Sequence, residues 1–387
     1  MQLIRTLRKI KRKIYYHNPL IRVFVYKNNL LYNLHEYQRK FPQVRIAPVL
    51  KSNAYGHGLI PLAKIFDKQD ISFLVMDSIF EAKAVRSAGV KSPILIIGFV
   101  RTDEIMYASR FRNLTYTITS LNSLKNINKY LKERREFHLK FDTGMHRQGI
   151  LLSEKEEVLN IVKDNKYLKI TGLCSHLADA DNDDPTFTLK QIERWNNLVA
   201  YFKSQLSDLK DFHLAASPGM HYLDKINSNL VRLGYGLYGF NPAHSDLDLK
   251  PALEMTATIT SIRTVPPEEG IGYNITFKTD RPMKVATISA GYFEGIDRRL
   301  SNSGFVKTCP AEGGAKNQFC QIVGRVSMNI TSIDVTDLPG VKIGDEVIII
   351  SKDPQDKNSA LNNAQICHTI PYEILVRIPQ HLKREVV

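Results

Sequence analysis

The stretch "ISFLVMDSIFEAKAVRSAG", residues 71–89, places one strand directly before one helix. Its first six residues are mostly apolar, which is typical of a buried strand. The remainder repeats apolar residues at helical spacing. A strand followed at once by an amphipathic helix is the unit from which parallel α/β folds are built.

The same alternation runs from about residue 27 to about residue 240. Eight short apolar runs are the strand candidates, and they begin at residues 46, 71, 94, 115, 138, 170, 211 and 229. Most are followed by a helix candidate, so the connections should be right-handed crossovers of a parallel sheet. Eight such units within somewhat over about 200 residues predict a closed (β/α)8 barrel of the TIM type.

The pattern changes after about residue 245. Runs such as "ALEMTATITSIRTV" and "DEVIIIS" are broken by Gly, Pro and Asp turns, and helix signal is scarce until "YEILVRI". This predicts a second, mainly antiparallel β domain. The expected organisation is a basic segment at 1–20, the barrel at 21–245 and the β domain at 246–387.

Composition limits the function classes. The 387 residues carry a formal net charge of +14, with 43% hydrophobic residues and no apolar run near the length of a membrane span. Six of the first thirteen residues are Arg or Lys, a pattern typical of a solvated basic helix; without a recognised binding fold it does not indicate nucleic-acid binding. The four cysteines show no metal-binding spacing, so we expect no metal, reduced thiols and a cytoplasmic protein.

Polar residues fall at the carboxyl ends of the predicted strands, where barrels carry their reactive groups. They are Lys51, Lys140, His176, Ser217 and Arg232. A lysine in a partly dry pocket has a lowered pKa, and its neutral amine condenses with aldehydes. Glycine-rich turns such as "SNAYGHG", "ASPGM" and "RLGYGLYG" supply hydroxyl and N–H groups for a phosphate. The pattern therefore predicts pyridoxal phosphate as cofactor.

These residues stand in stretches that resemble a known family. "VLKSNAYGHG" resembles the pyridoxal-phosphate lysine motif of alanine racemases. The other matching stretches, in the family's order, are "KFDTGMHRQG", "SHLADAD", "VRLGYGLYG", "GIGYNIT", "ISAGYFEGIDRRLSN" and "GRVSMNITSIDVTD". The resemblance covers about residues 20–375 and both predicted domains.

The resemblance implies how the barrel would hold its cofactor. Lys51 would form the internal aldimine and act as one of two catalytic bases. The phosphate would be held by Tyr55, by Ser217 and by the backbone around Gly234 and Tyr235.

It also implies a set of charged residues around the cofactor ring. Arg232 would face the pyridine nitrogen, with His176 behind it. Because an arginine does not release its proton, the ring nitrogen would stay largely unprotonated. Arg147 would bind near the phenolic oxygen and the substrate carboxylate, and Lys140 matches a lysine that is often carbamylated.

The second base implied by the resemblance is Tyr273, which would reach the active site of the other subunit in a head-to-tail homodimer. It would take the α-proton of the L-enantiomer, and Lys51 that of the D-enantiomer, from opposite faces of the planar intermediate. Met328 would offer its backbone N–H to the substrate carboxylate, and Tyr292 would line the entrance.

Two positions depart from the family pattern. Asn329 stands where most members have Asp, and Gln380 stands where some have a tyrosine that contacts the phosphate. Neither change affects the two expected bases.

The leading hypothesis is an alanine racemase that supplies D-alanine for peptidoglycan. A broad-specificity racemase for serine, lysine or similar side chains is the main alternative. A basic amino-acid decarboxylase would need a late active-site cysteine, which Cys309, Cys320 and Cys367 do not match. A non-catalytic pyridoxal-phosphate carrier would lack the β domain.

Overall fold

The computed structural model describes residues 19–108, 111–308 and 318–387. The chain divides into two compact units. One unit comprises Val25–Leu253 with Val386–Val387, and the other comprises the segment ending at Phe24 with Glu254–Glu385. Most of the predicted basic segment lies outside the described residues, as does Cys309.

The first unit is a barrel of parallel strands, as the sequence predicts. Eight of its described strands form the ring: Arg45–Pro48, Leu74–Met76, Ile94–Ile96, Leu114–Ile118, Arg135–Asp142, Leu168–Cys174, Asp211–His213 and Leu230–Leu233. A short further strand, Ile150–Leu151, pairs with Arg135–Asp142 outside the ring. The second to the seventh form one parallel sheet, and the first pairs with the eighth. Bridges between Val49 and Val75 and between Ala216 and Arg232 close the ring. All eight predicted strands are confirmed.

Amphipathic helices follow most of these strands. Their bounds are Leu59–Phe66, Ile79–Ser87, Thr102–Tyr107, Leu121–Tyr130, Lys155–Asp164 and Thr186–Lys203; a further helix, Lys27–Lys40, precedes the first strand. In Ile79–Ser87 the buried positions are Ile79, Ala82 and Val85, the apolar stripe of the opening stretch. After the seventh strand the chain forms a 3-10 helix, Ser217–Tyr222, and no α-helix.

The second unit is mainly antiparallel. Its strands are Ile21–Val25, Leu253–Val265, Gly270–Ile271, Phe277–Lys278, Met283–Ile288, Phe305–Thr308, Phe319–Gln321, Thr331–Asp334, Glu346–Ile350 and Arg384–Val386. The long strand Leu253–Val265 pairs with Met283–Ile288 and with Glu346–Ile350, both antiparallel. Ile21–Val25 joins this sheet, although the sequence places residue 21 onward in the barrel.

Helices in the second unit are few. Pro371–Val376 matches the predicted "YEILVRI" helix, and Ala360–Ile366 was not predicted. A loop separates the strands Phe319–Gln321 and Thr331–Asp334. That loop carries Met328. Across the described parts of the chain, no helix combines the length and apolar character needed to cross a membrane.

Candidate active site

Lys51 lies at the start of an unusual turn after the first barrel strand. The four residues that follow it, Ser52–Tyr55, all have φ between 52° and 56°, the left-handed region. Non-glycine residues there cost of order 1–2 kcal/mol each. Side chains support the turn: Glu81 Oε1 accepts from the Ser52 N–H at 2.7 Å, and Asn53 Oδ1 accepts from the Leu59 N–H at 2.9 Å. Strain of this kind concentrates at functional sites.

Hydroxyl and amide groups gather beside this turn and form a cradle of hydrogen-bonding groups. Ser217 Oγ accepts from the N–H groups of Gly234 and Gly236 at 3.3 and 3.2 Å. A Cβ added to Gly234 would lie 3.0 Å from the Tyr55 hydroxyl, so a larger residue here would crowd that hydroxyl. Burial raises the pKa of Tyr55 to about 12, which keeps its phenol a hydrogen-bond donor. Tyr235 begins the next 3-10 turn.

The cradle gives a first prediction. In the cofactor-free protein Ser217→Ala leaves two buried N–H groups without their acceptor, so the free energy of unfolding should fall by about 1–3 kcal/mol. Phosphate oxygens of added pyridoxal phosphate should take over as acceptors and shrink this deficit in denaturant titrations. Ser204→Ala, which removes an exposed hydroxyl bound to the Tyr201 carbonyl, is the control. A deficit that pyridoxal phosphate leaves unchanged would mean that the phosphate binds elsewhere.

Arg232 is buried and densely hydrogen-bonded. Its Nη1 donates to the carbonyl of His213 at 2.7 Å and lies 2.6 Å from Nδ1 of the same residue. Its Nη2 donates to the carbonyls of Ser175 and Leu214 and lies 3.2 Å from Nδ1 of His176. The guanidinium is therefore held in one orientation beside His176.

Positive charges crowd this end of the barrel. Burial, then the charges of Arg232, Arg147, Lys140 and Lys51, lower the pKa of His176 to about 3. Burial also lowers the pKa of Lys140; among its charged neighbours, Cys174 opposes the shift, whereas Arg232, Arg147 and Lys51 add to it. The structure thus brings these five predicted residues into one electrostatic cluster. His176 is neutral there at pH 7.

Sequence analysis missed two residues of this cluster. His213 ends the seventh strand and contacts Arg232, and Gln148 accepts from Lys140 Nζ at 2.9 Å. His213 shows a usable signal, because it is a polar residue at the carboxyl end of a barrel strand. Gln148 lies in a loop and could not be placed by strand counting.

The remaining predicted residues gather in the β unit. Tyr273, Tyr292 and Met328 line one recess of about 680 Å³, together with Gly295, Ile296, Asp297, Arg298, Val326, Ser327 and Arg377. The N–H of Tyr292 donates to the Ser327 carbonyl at 3.0 Å, which joins the two loops. Tyr273 is 67% exposed in the single chain.

Glycines allow these loops to meet. A Cβ on Gly291 would come within 2.2 Å of the Ser327 carbonyl oxygen. Gly324 has φ of +76°, and its Cβ would come within 2.5 Å of the Ile271 carbonyl oxygen. The second contact brings the loop before Tyr273 against the one that leads to Met328.

Comparison with known proteins assigns both units. Residues 25–242 match the family described as alanine racemase, N-terminal domain, and residues 252–386 match alanine racemase, C-terminal domain. The chain belongs to the alanine racemase family. An alanine racemase of Syntrophobacter fumaroxidans is 35% identical over 347 residues, which cover 88% of this chain and 90% of that protein.

Solved structures of family members agree in fold. The alanine racemase of Streptomyces lavendulae has a TM-score of 0.86 at 25% identity, covering 96% of this chain and 98% of that one. That of Bacillus anthracis, solved with bound L-Ala-P, has a TM-score of 0.84 at 28% identity and covers 96% of each chain.

The structure explains one departure from the usual alanine racemase sequence. Asn329 Nδ2 donates to Oε1 of the buried Glu294 at 2.7 Å, while Oε2 accepts from the Gly291 N–H at 2.8 Å. An aspartate at 329 would place two carboxylates side by side, and like charges this close repel each other. With asparagine, both carboxylate oxygens of Glu294 accept a hydrogen bond, and the loop that carries Met328 is held.

Proposed function

We propose that this protein is an alanine racemase that interconverts L- and D-alanine with pyridoxal phosphate. The observation that carries the proposal is the cluster of Lys51, Lys140, Arg147, His176 and Arg232 at one end of the barrel, beside the Ser217 cradle. Together they provide an amine for the aldehyde, an anion site for the phosphate and a permanently charged cation for the ring nitrogen. Pyridoxal phosphate requires all three groups.

The residues present fit pyridoxal phosphate. The cradle of Ser217, Gly234 and Tyr55 would hold the phosphate, and Lys51 would hold the aldehyde carbon. Arg232 would face the ring nitrogen, since its guanidinium is fixed by carbonyl and imidazole acceptors. When bound, the cofactor supplies an electron-withdrawing ring that acidifies the α-proton of an amino acid.

Arg232 limits which reactions follow. Its guanidinium stays charged at neutral pH, so it would donate a hydrogen bond to the ring nitrogen of bound pyridoxal phosphate and would keep its own proton. The neutral His176 beside it adds no second positive charge. With this pair of residues beside the ring nitrogen, Arg232 would disfavour side reactions such as transamination.

Two groups would move the α-proton. Inversion requires removal from one face and delivery to the opposite face, and the Lys51 amine and the Tyr273 phenol are the groups proposed for this. We propose that Tyr273 comes from the partner in a head-to-tail homodimer. Its large exposure in the single chain supports this arrangement. Met328 and Arg147 would orient the substrate carboxylate, and Tyr292 would line the entrance.

Carbamylation of Lys140 is a further prediction. Carbon dioxide reacts with neutral amines, and the lowered pKa of Lys140 increases its neutral fraction at pH 7 to 8. Protein incubated with ¹³C-bicarbonate should show one carbamate carbon signal in NMR spectra. Lys140→Arg should lose this signal, and Lys169→Arg, which changes a lysine paired with Glu136, should keep it. A signal that survives Lys140→Arg would contradict the assignment.

Turnover of a panel of L-amino acids, followed by chiral chromatography, tests the proposed function. An alanine racemase converts L-alanine faster than L-serine or L-lysine. Comparable rates for the larger substrates would favour the broad-specificity alternative. Absence of turnover in pyridoxal-phosphate-loaded protein would favour a carrier.

The proposal extends to the role of the product. D-Alanine formed by this chain would enter peptidoglycan. Cys174, Cys320 and Cys367 are buried free thiols, which supports the proposal of a cytoplasmic protein.

A further inference from the structure

A chain of buried polar side chains runs through the barrel from Arg232 to its amino-terminal rim. Arg232 Nη1 lies 2.6 Å from His213 Nδ1, and His213 Nε2 lies 2.8 Å from His138 Nδ1. His138 Nε2 faces Asp211 Oδ2 at 3.4 Å. Asp211 Oδ1 accepts from Arg45 Nη2 at 2.7 Å. His138, His213 and Asp211 are each 0% exposed.

Arg232 at one end and Asp211 at the other determine which ring nitrogen of each histidine carries the proton. Arg232 has only donors, so His213 must present a lone pair at Nδ1 and carry its proton on Nε2. That proton points at His138 Nδ1, so His138 must carry its own proton on Nε2. Asp211, when ionised, has only acceptors and receives it. Each imidazole is therefore specified as the neutral Nε2–H tautomer.

The pKa shifts of His213 and Asp211 agree with these tautomers. Burial and the charge of Arg232 hold the pKa of His213 well below its usual value, so this ring is neutral. Burial alone would raise the pKa of Asp211, but its hydrogen bonds with His138 and Arg45 outweigh that effect and lower it. Asp211 is thus an anion at neutral pH.

The residues around His138 leave space for its ring inside the barrel. His138 lies within the fifth strand, beside Gly172 of the sixth. A Cβ on Gly172 would come within 2.6 Å of the His138 ring. Phe73 packs edge-on against the ring, with centroids 5.6 Å apart. His138 Nε2 and Asp211 Oδ2 face each other at 3.4 Å, and neither atom has a shorter hydrogen-bond contact among the described residues.

We propose that Asp211 is a positioning residue that acts through His138 and His213 to hold Arg232 in place. The carboxylate sets both tautomers, and the aligned bonds present a lone pair of His213 to the guanidinium. This keeps Arg232 charged and in one orientation. The inference deepens the proposed function, on which it rests, because Arg232 is the group assigned to the ring nitrogen.

The tautomers are tested first, on the cofactor-free protein labelled with ¹⁵N-histidine. At pH 7 the resonances of His138 and His213 should both show a proton on Nε2 and none on Nδ1. A proton on Nδ1 of either ring would overturn the proposal. This result does not depend on racemase activity, so it stands apart from any failure of the proposed function.

The second test compares two aspartates near the same rim. Asp211→Asn removes the charge that directs the chain, whereas Asp208→Asn removes an exposed partner of Arg134 and is the control. In Asp211→Asn the kcat for alanine should fall by about tenfold with KM little changed, as expected for an indirect effect on positioning. The ¹⁵N shift of ring-labelled pyridoxal phosphate should also move.

Asp208→Asn should change neither measurement. If Asp211→Asn folds and alters the histidine tautomers, yet leaves kcat and the ring shift as in the parent protein, Asp211 does not position Arg232. If Asp211→Asn fails to fold, the tautomer measurement on the parent protein still decides the proposal.

Discussion

Lys51→Ala is expected to lower alanine racemisation by at least about 10⁴-fold, because the change removes both the cofactor's covalent partner and one of the two proposed bases. The visible absorbance of the covalently bound cofactor should disappear in the same variant. Both are measured on purified protein, by chiral chromatography and by absorbance after addition of pyridoxal phosphate.

Lys64→Ala is the matched control for this change. Lys64 lies on the exposed side of the helix Leu59–Phe66, which follows the Lys51 turn, and it belongs to no proposed site. It should retain both activity and absorbance. Racemisation by Lys51→Ala within tenfold of the parent rate would show that the first lysine of the motif is not the reactive amine.

Tyr273→Phe should slow α-proton exchange from L-alanine more than exchange from D-alanine. It removes the phenol that we propose takes the proton from L-alanine, so exchange of that proton should slow by about 10²- to 10⁴-fold. Exchange of the α-proton of D-alanine, assigned to Lys51, should slow far less. The measurement is solvent-hydrogen exchange from each enantiomer separately, analysed before the product accumulates.

The control for Tyr273→Phe is Tyr130→Phe, the same chemical change at a tyrosine that is 54% exposed on the barrel unit. It should leave both exchange rates unchanged. Equal losses in both directions for Tyr273→Phe would mean that the two faces are assigned wrongly.

A mixing experiment tests which subunit supplies Tyr273 to each active site. If each site combines Lys51 of one subunit with Tyr273 of the other, co-refolding the two inactive variants produces mixed dimers with one intact site. Random pairing makes half of the dimers mixed, so about a quarter of the parent activity should return. No recovery would indicate that both groups come from the same chain.

Much of the barrel follows from local pattern. Most of its strands are short apolar runs beside an amphipathic helix, and this local signal needs no knowledge of distant residues. The β unit was less predictable. The first strand, Ile21–Val25, pairs with strands more than about 200 residues away, and the stretch "GRVSMN" forms a loop because Gly291 and Gly324 allow close backbone approach.

The sequence by itself determined the two-domain plan and placed Lys51, the proposed reactive amine, at the end of the first barrel strand, because those depend on residue type and on spacing along the chain. Only the tertiary structure decided the partners of Arg232. His213, His138 and Asp211 come from the fifth and seventh strands, and no spacing places them in one line. The direction of hydrogen bonds through a buried core depends on which side chains face one another across the barrel. Those facing pairs exist only once the ring of strands has closed.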